Sequence, residues 1–96
     1  MNHFFSNTLT DLKAENLSIK KGETLFLQND EVLNMYFITA GRVILRRSTL
    51  DGAPVILHVA FPGEMIAEAS LFSKENHCSA IADMTTEVSY IKKADL

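Results

Sequence analysis

The chain has 96 residues, enough for one domain with a modest core and too few for a second independent module. Its formal net charge of −3 gives no overall attraction to nucleic acid. The single cysteine, Cys78, excludes an internal disulfide and sites built from several cysteines, such as iron–sulfur clusters and structural zinc. The apolar stretch 55–69 is interrupted by polar and turn-forming residues before it could span a bilayer. We therefore expect one cytoplasmic domain, residues 1–96, with no membrane segment.

The first residues predict a short helical lead-in, residues 1–15. Thr8 stands three residues ahead of Asp11, as in a capping box, and Leu9 and Leu12 lie on one side of such a helix. We expect this segment to pack as a lid or edge on the residues that follow.

Short β-strands follow, because apolar and polar residues alternate from Leu17 onward. Polar and glycine-containing turns separate them. The predicted strands of the first half are 17–19, 24–27, 35–39 and 42–49.

Asp51-Gly52 predicts a β-hairpin, because these residues suit the two central positions of a type I′ turn. The strand after it should present one apolar face to the core. The expected core face consists of Val55, Leu57, Val59 and Phe61.

Pro62-Gly63 suits the centre of a type II turn, in which proline presets φ and glycine accepts a positive φ. Residues with good helix propensity, 64–72, then interrupt the β pattern. The unpartnered N–H groups at the start of a short helix can hold an anion such as a phosphate. The same insert also suits a plain crossover from one sheet to the other.

Two further strands are predicted, 77–84 and 87–92. In the first, Cys78, Ala80 and Ala82 share one face, and in the second Val88 and Tyr90 do. Residues 93–96 have the character of a helix start. Some eight short strands at this spacing predict a mainly β protein, as a sandwich, jelly roll or small barrel.

These residues resemble the cyclic-nucleotide-binding domain, specifically the sensor half of Crp/Fnr-type bacterial transcription regulators. The similarity implies a double-stranded β-helix jelly roll over 16–93 with short flanking helices. The residues that carry it are Lys21-Gly22-Glu23-Thr24-Leu25-Phe26, Tyr36-Phe37-Ile38-Thr39-Ala40-Gly41-Arg42-Val43, Asp51-Gly52, Phe61-Pro62-Gly63-Glu64, Ala67-Glu68-Ala69-Ser70-Leu71-Phe72 and Ser79-Ala80.

The phosphate cassette of that family resembles Gly-Glu-x-x-Leu followed by Arg-Ser/Thr-Ala. Its glutamate takes the ribose hydroxyl and its arginine takes the cyclic phosphate. Glu68 matches the glutamate, and Ser79-Ala80 matches the end of the motif. Ala67 replaces the glycine, and Cys78 stands where the arginine is expected.

Loss of the arginine predicts weak or absent binding of cyclic AMP and cyclic GMP. A charge-assisted contact to phosphate contributes about 1.5–3 kcal/mol, roughly ten- to a hundredfold in affinity. A relocated arginine, Arg46 or Arg47, could compensate. The predicted ligand-binding residues of this vestigial cassette are Glu64, Ala67, Glu68, Ala69, Ser70, Cys78 and Ser79.

Three other functions are weighed against this one. A haem or redox sensor would use His77 and Cys78, although adjacent strand residues face opposite sides. A degenerate sensor could serve only as a protein-interaction or dimerisation module. An enzyme is not expected, because the three histidines form no His-x-His pair and no nucleophile motif is present.

We therefore expect no bound cofactor or metal, and no catalytic residue. The expected partner is a small-molecule effector, with a cyclic nucleotide as the family's ligand. In the family, a helix after the last strand forms a homodimer and a helix-turn-helix reads DNA. Because the sequence to Leu96 contains neither, DNA binding is expected only through a C-terminal domain absent from this chain.

Overall fold

A computed structural model describes residues 14–66 and 74–95. In this part of the chain, eight β-strands form two antiparallel four-stranded sheets, as predicted for a jelly roll of the cyclic-nucleotide-binding type. The strands are β1 Glu15–Ile19, β2 Thr24–Phe26, β3 Asn34–Ala40, β4 Val43–Ser48, β5 Pro54–Ala60, β6 Met65–Ile66, β7 Ser79–Ala82 and β8 Thr86–Lys92, and a 3₁₀ helix Lys93–Asp95 follows. The first sheet has the order β1-β8-β3-β6 and the second β2-β7-β4-β5.

The core lies between the inner faces of the two sheets. Tyr36 on β3 stacks on Phe26 of the opposite sheet, with ring centroids 5.7 Å apart. Its ring also contacts that of Tyr90 on β8, with centroids 5.9 Å apart. Ala80 and Ala82 are both buried, which confirms that they share one face of β7, and Val88 of β8 is buried as well. The buried core cluster comprises Tyr36, Ile38, Val43, Ala60, Ile66, Ala80 and Val88.

The predicted hairpin joins β4 and β5, but its turn is not of type I′. Thr49 N donates to Ala53 O at 3.0 Å, and Gly52 N donates to Thr49 O at 2.9 Å. Gly52 has a φ of 84°, whereas Asp51 is not among the residues with positive φ. These bonds define a three-residue loop, a type I turn followed by a left-handed glycine. The extra loop residue, Leu50, removes the need for a positive φ at Asp51.

The predicted core face of β5 is wrong. Val55, Leu57 and Phe61 are 43%, 52% and 50% exposed. The register with β4 steps from Leu45–His58 to Arg46–Ile56, so that Leu57 is an extra, bulged residue. The bulge shifts the alternation by one residue, and β5 is the edge strand of its sheet. Ala60, expected on the outer face, is consequently buried opposite Val43.

The two predicted helical segments are tested only at their ends. Most of the lead-in, 1–13, lies outside the described residues, and Glu15 already belongs to β1. Most of the insert, 67–73, also lies outside them, whereas Met65–Ile66 form a strand paired with β3 and not a helix. The type II turn before it is confirmed, because Gly63 has a φ of 96° and Glu64 N donates to Phe61 O. Residues 14–66 and 74–95 include no helix with the length and apolar character needed to cross a membrane.

Candidate ligand-binding cleft

An open cleft of about 980 Å³ lies beside the second sheet. It is lined by residues after β2, at the end of β4, in β5 and at the start of β7. One part of its wall is apolar, with Leu27, Leu50, Val55 and Leu57. The polar part includes Gln28, Arg47, Thr49 and Ser79. Small-molecule sites usually combine an apolar wall with a few convergent polar groups, and this cleft has both kinds of side chain.

The register of β4 brings Arg47 to this cleft. Val43 is buried in the core and Leu45 packs against it, and alternate residues of a strand share a face. Arg47 therefore continues the inner face of β4 beyond the core. Across the sheet, Val55 of β5 is directly opposite Arg47 and also lines the cleft.

Arg46 precedes Arg47 on the same strand. It pairs with Ser79, the last pair in the register between β4 and β7. The described residues that line the cleft include Arg47 but not Arg46. Of the two arginines considered from the sequence, the structure thus places only Arg47 at the cleft.

Cys78 lies immediately before β7 and is half-buried. Burial raises the pKa of its thiol above the ordinary value of 9.0, and the positive charge of Arg47 opposes this shift. The thiol is therefore neutral near pH 7.

Ser79 is held at the cleft wall by a chain of hydrogen bonds. Its Oγ accepts a hydrogen bond from Gln28 N at 2.9 Å, and the side-chain Oε1 of Gln28 accepts one from Ser48 N at 2.8 Å. Because a hydroxyl can accept and donate at the same time, Ser79 keeps a proton that can be donated to a ligand.

Glu64 lies in the turn between β5 and β6. Its carboxylate oxygens are 2.7 Å from His58 Nε2 and 2.7 Å from Phe61 N. The hydrogen bond with His58, and then that from Phe61, lower the pKa of Glu64. Glu64 is not among the described residues that line the cleft, and the structure does not bring it together with Ser79.

The remaining predicted site residues are Ala67, Glu68, Ala69 and Ser70, which lie outside the described residues. Their roles stay predictions. The cleft also has apolar members that sequence reasoning did not assign to a site, Leu27, Val55 and Leu57. The signal for Arg47 was present, because it extends the alternation of Val43 and Leu45.

The haem or redox alternative has no further support in the structure. His77 is exposed beside the half-buried Cys78. Across 14–66 and 74–95, no three side chains of the histidine, cysteine, aspartate or glutamate type come together as a metal site. A sensor that uses His77 and Cys78 stays a prediction.

Comparison with known proteins shows the family to which this chain belongs. Residues 16–96 match the family model of the cyclic nucleotide-binding domain. The chain is 33% identical over 76 residues to the cyclic AMP receptor protein of Thermus thermophilus, which covers 78% of this chain and 35% of that protein. It therefore spans about a third of the length of this relative.

Solved structures agree with the match. The Thermus thermophilus catabolite activator protein superposes with a TM-score of 0.85 at 27% identity, over 99% of this chain and 44% of that one. The N-terminal domain of a Streptomyces coelicolor transcriptional regulator superposes with a TM-score of 0.84 at 29% identity, over 95% of this chain and 64% of that one. The chain belongs to the cyclic nucleotide-binding domain family, in the form found in Crp/Fnr-type transcription regulators.

Proposed function

We propose that this chain is the ligand-sensing domain of a Crp/Fnr-type transcription regulator, and that it binds cyclic AMP and cyclic GMP weakly or not at all. The observation that carries the proposal is the state of Cys78. This residue stands at the arginine position of the family cassette, is half-buried, and has a thiol pKa raised by burial. A neutral thiol offers no charge to a cyclic phosphate.

The size of the effect follows from the missing contact. A charge-assisted hydrogen bond to phosphate contributes about 1.5–3 kcal/mol. Its loss lowers affinity by roughly ten- to a hundredfold. Ala67 in place of the family glycine adds a methyl group where close backbone approach is expected.

The other cassette residues take the roles that the family resemblance implies. Glu68 accepts a hydrogen bond from a ligand hydroxyl. Ser79 and the backbone N–H groups of Ala69 and Ser70 bind the anionic group. We assign no catalytic residue, and propose that the domain acts by binding.

The regulatory step is a shift in population between two conformations. A ligand that binds one conformation more tightly favours it by the difference in binding free energy. In an intact regulator this shift would reorient the helix after β8, and so the DNA-binding half of a homodimer.

Calorimetric titration with cyclic AMP and cyclic GMP tests the proposal. We expect a dissociation constant of roughly 100 micromolar or weaker for the natural chain. Cys78→Arg should bind roughly ten- to a hundredfold more tightly, because it restores the charge–phosphate contact. Cys78→Ser is the matched control, since it changes the side chain without adding charge.

Glu68→Ala in the Cys78→Arg background should remove most of the regained affinity. Tight binding by the natural chain, or an unchanged affinity in Cys78→Arg, would contradict the proposal. An equal gain in Cys78→Ser would show that charge is not the reason.

A second candidate function is a protein-interaction module without a small ligand. It is favoured by the exposed apolar residues Val55, Ile56 and Leu57, which follow one another on edge strand β5. Sedimentation velocity of the chain and of Ile56→Asp tests it. Self-association that Ile56→Asp abolishes, without any nucleotide binding in Cys78→Arg, would favour this candidate over a sensor.

A further inference from the structure

We infer that Arg47 is the residue that receives the negative charge of a ligand in this cleft, and that the ligand is an organic anion with an apolar group beside a phosphate or carboxylate. The inference rests on the proposed ligand-sensing function and identifies the chemistry of the same site. The contact to the anionic group of the ligand would then be made by Arg47 on β4, in place of the family arginine at position 78.

The position of Arg47 follows from strand register. Leu45 pairs with Ala80 and Arg46 pairs with Ser79, so the next residue in line with Arg47 is Cys78. Cys78 lies one residue outside β7, directly after the last pair of this register, and the Cβ atoms of such directly opposite pairs are about 4.5–5.5 Å apart. An arginine on β4 can thus reach the space beside Cys78, and the influence of Arg47 on the thiol agrees with this placement.

The charge of Arg47 is available to a ligand. Within 14–66 and 74–95, no carboxylate forms an ion pair with Arg47. Arg42 differs, because its Nε lies 2.6 Å from Asp83 Oδ2. The described lining of the 980 Å³ cleft contains no acidic side chain.

A smaller adjoining cleft of about 400 Å³ shares Arg47. Lys74 and Glu75 line it. The formal charges of Lys74 and Glu75 cancel, so the three side chains together have the single positive charge of Arg47.

The rest of the wall defines the second half of the ligand. Leu27, Val55 and Leu57 line the cleft and are each about half exposed. Such side chains gain free energy when an apolar group covers them. Next to them, the Ser79 hydroxyl is held by Gln28 and can donate a hydrogen bond to the anion. A positive charge, a hydroxyl and an apolar wall together select an amphipathic anion.

The single cysteine allows a direct test with the full 96-residue chain. Cys78 is allowed to react with either of two aromatic disulfides, the doubly anionic 5,5′-dithiobis(2-nitrobenzoate) and the neutral 4,4′-dithiodipyridine. Both are attacked by the thiolate, so the ratio of their rates cancels changes in thiol pKa. Cys78 is not among the described residues that line the cleft, but it is the neighbour of Ser79, which does line it. The ratio therefore reports the preference of this edge of the cleft for an organic anion.

We expect the anionic-to-neutral rate ratio to fall about tenfold in Arg47→Gln, the order expected for one charge contact. Arg46→Gln is the matched control and should leave the ratio within about twofold, because Arg46 is not among the described residues that line the cleft and a charge away from the bound anion is screened. Arg47→Lys keeps a positive charge and should retain most of the preference. Circular dichroism confirms that each variant is folded.

An unchanged ratio in Arg47→Gln, or an equal fall in Arg46→Gln, would overturn the inference. The proposed function is checked separately, by measuring in calorimetry whether Cys78→Arg gains affinity for cyclic AMP. A lower rate ratio in Arg47→Gln without that gain would retain the anion site and overturn the proposed function. A gain of affinity in Cys78→Arg with an unchanged rate ratio in Arg47→Gln would reject the role of Arg47 alone.

Discussion

The backbone N–H of Gln28 donates a 2.9 Å hydrogen bond to the hydroxyl of Ser79, joining the segment after β2 to the first residue of β7. The side chain of Gln28 then accepts a hydrogen bond from Ser48 N at the end of β4. Three chain segments distant in sequence are thus held together at the cleft. Their polar groups are ordered by the protein itself, which lowers the entropic cost of ligand binding.

Ser79→Ala should lower the free energy of unfolding by about 1 kcal/mol, because Gln28 N loses a partly buried acceptor. Ser18→Ala, at an exposed position on β1, is the control and should change it by less than about 0.5 kcal/mol. Urea denaturation measures both. Equal stability of the two variants would show that the Ser79 bond contributes nothing.

Gly41→Ala should be far more destabilising than Gly22→Ala, although both glycines have a positive φ. A Cβ at Gly22 meets nothing within 4 Å, so only the left-handed backbone cost of about 1–2 kcal/mol applies. A Cβ at Gly41 would lie 2.6 Å from Thr86 Cα, which adds an overpacking cost of about 1–3 kcal/mol. Thermal unfolding of both variants checks the order, and a smaller effect at Gly41 would contradict the close packing of this turn.

Thr86→Val should cost about 1–3 kcal/mol of stability, because the valine keeps the shape but leaves buried backbone groups unpaired. The Thr86 hydroxyl accepts a hydrogen bond from Arg42 N at 3.1 Å and donates to Met84 O at 2.8 Å. Thr85→Val is the control, since Thr85 is exposed. Chemical denaturation in which both variants unfold alike would argue against this buried contact.

The stabilising contribution of Glu64 should depend on pH. Hydrogen bonds from His58 and Phe61 lower its pKa in the folded protein below the ordinary 4.5. Because the pKa of Glu64 is lower in the folded than in the unfolded protein, its carboxylate stabilises the fold at pH values above the pKa of the unfolded state. This stabilisation is lost as the pH falls through the pKa of the folded state. Glu64→Gln should therefore be less stable than the natural chain at neutral pH, and the difference should disappear on acidification below 4.5.

Carbon NMR of the Glu64 carboxyl group measures the cause directly. In His58→Ala the pKa of Glu64 should rise, because the hydrogen bond from His58 is the largest cause of its depression. A Glu64 pKa that does not move would show that His58 leaves this carboxylate unaffected.

The alternation in β7 and β8 and the type II turn at Pro62-Gly63 could be predicted from the sequence. Each depends on residues close in the chain, through the twofold period of a strand and the φ preferences of proline and glycine. The hairpin after β4 was predicted for the same reason. Its turn type was not, because Leu50 joins the loop only when Thr49 pairs with Ala53.

The sequence by itself determined the mainly β fold, the family and the missing arginine at Cys78, because these depend on local pattern and motif spacing. The tertiary structure decided which face of β5 is buried and which arginine reaches the cleft. A single bulged residue, Leu57, reverses the alternation of β5, and bulges arise from pairing between strands. Alternation with Val43 and Leu45 favours Arg47 over Arg46, but the sequence does not show that this end of β4 borders a cleft. The structure decides it, because Arg47, and not Arg46, is among the described residues that line the cleft.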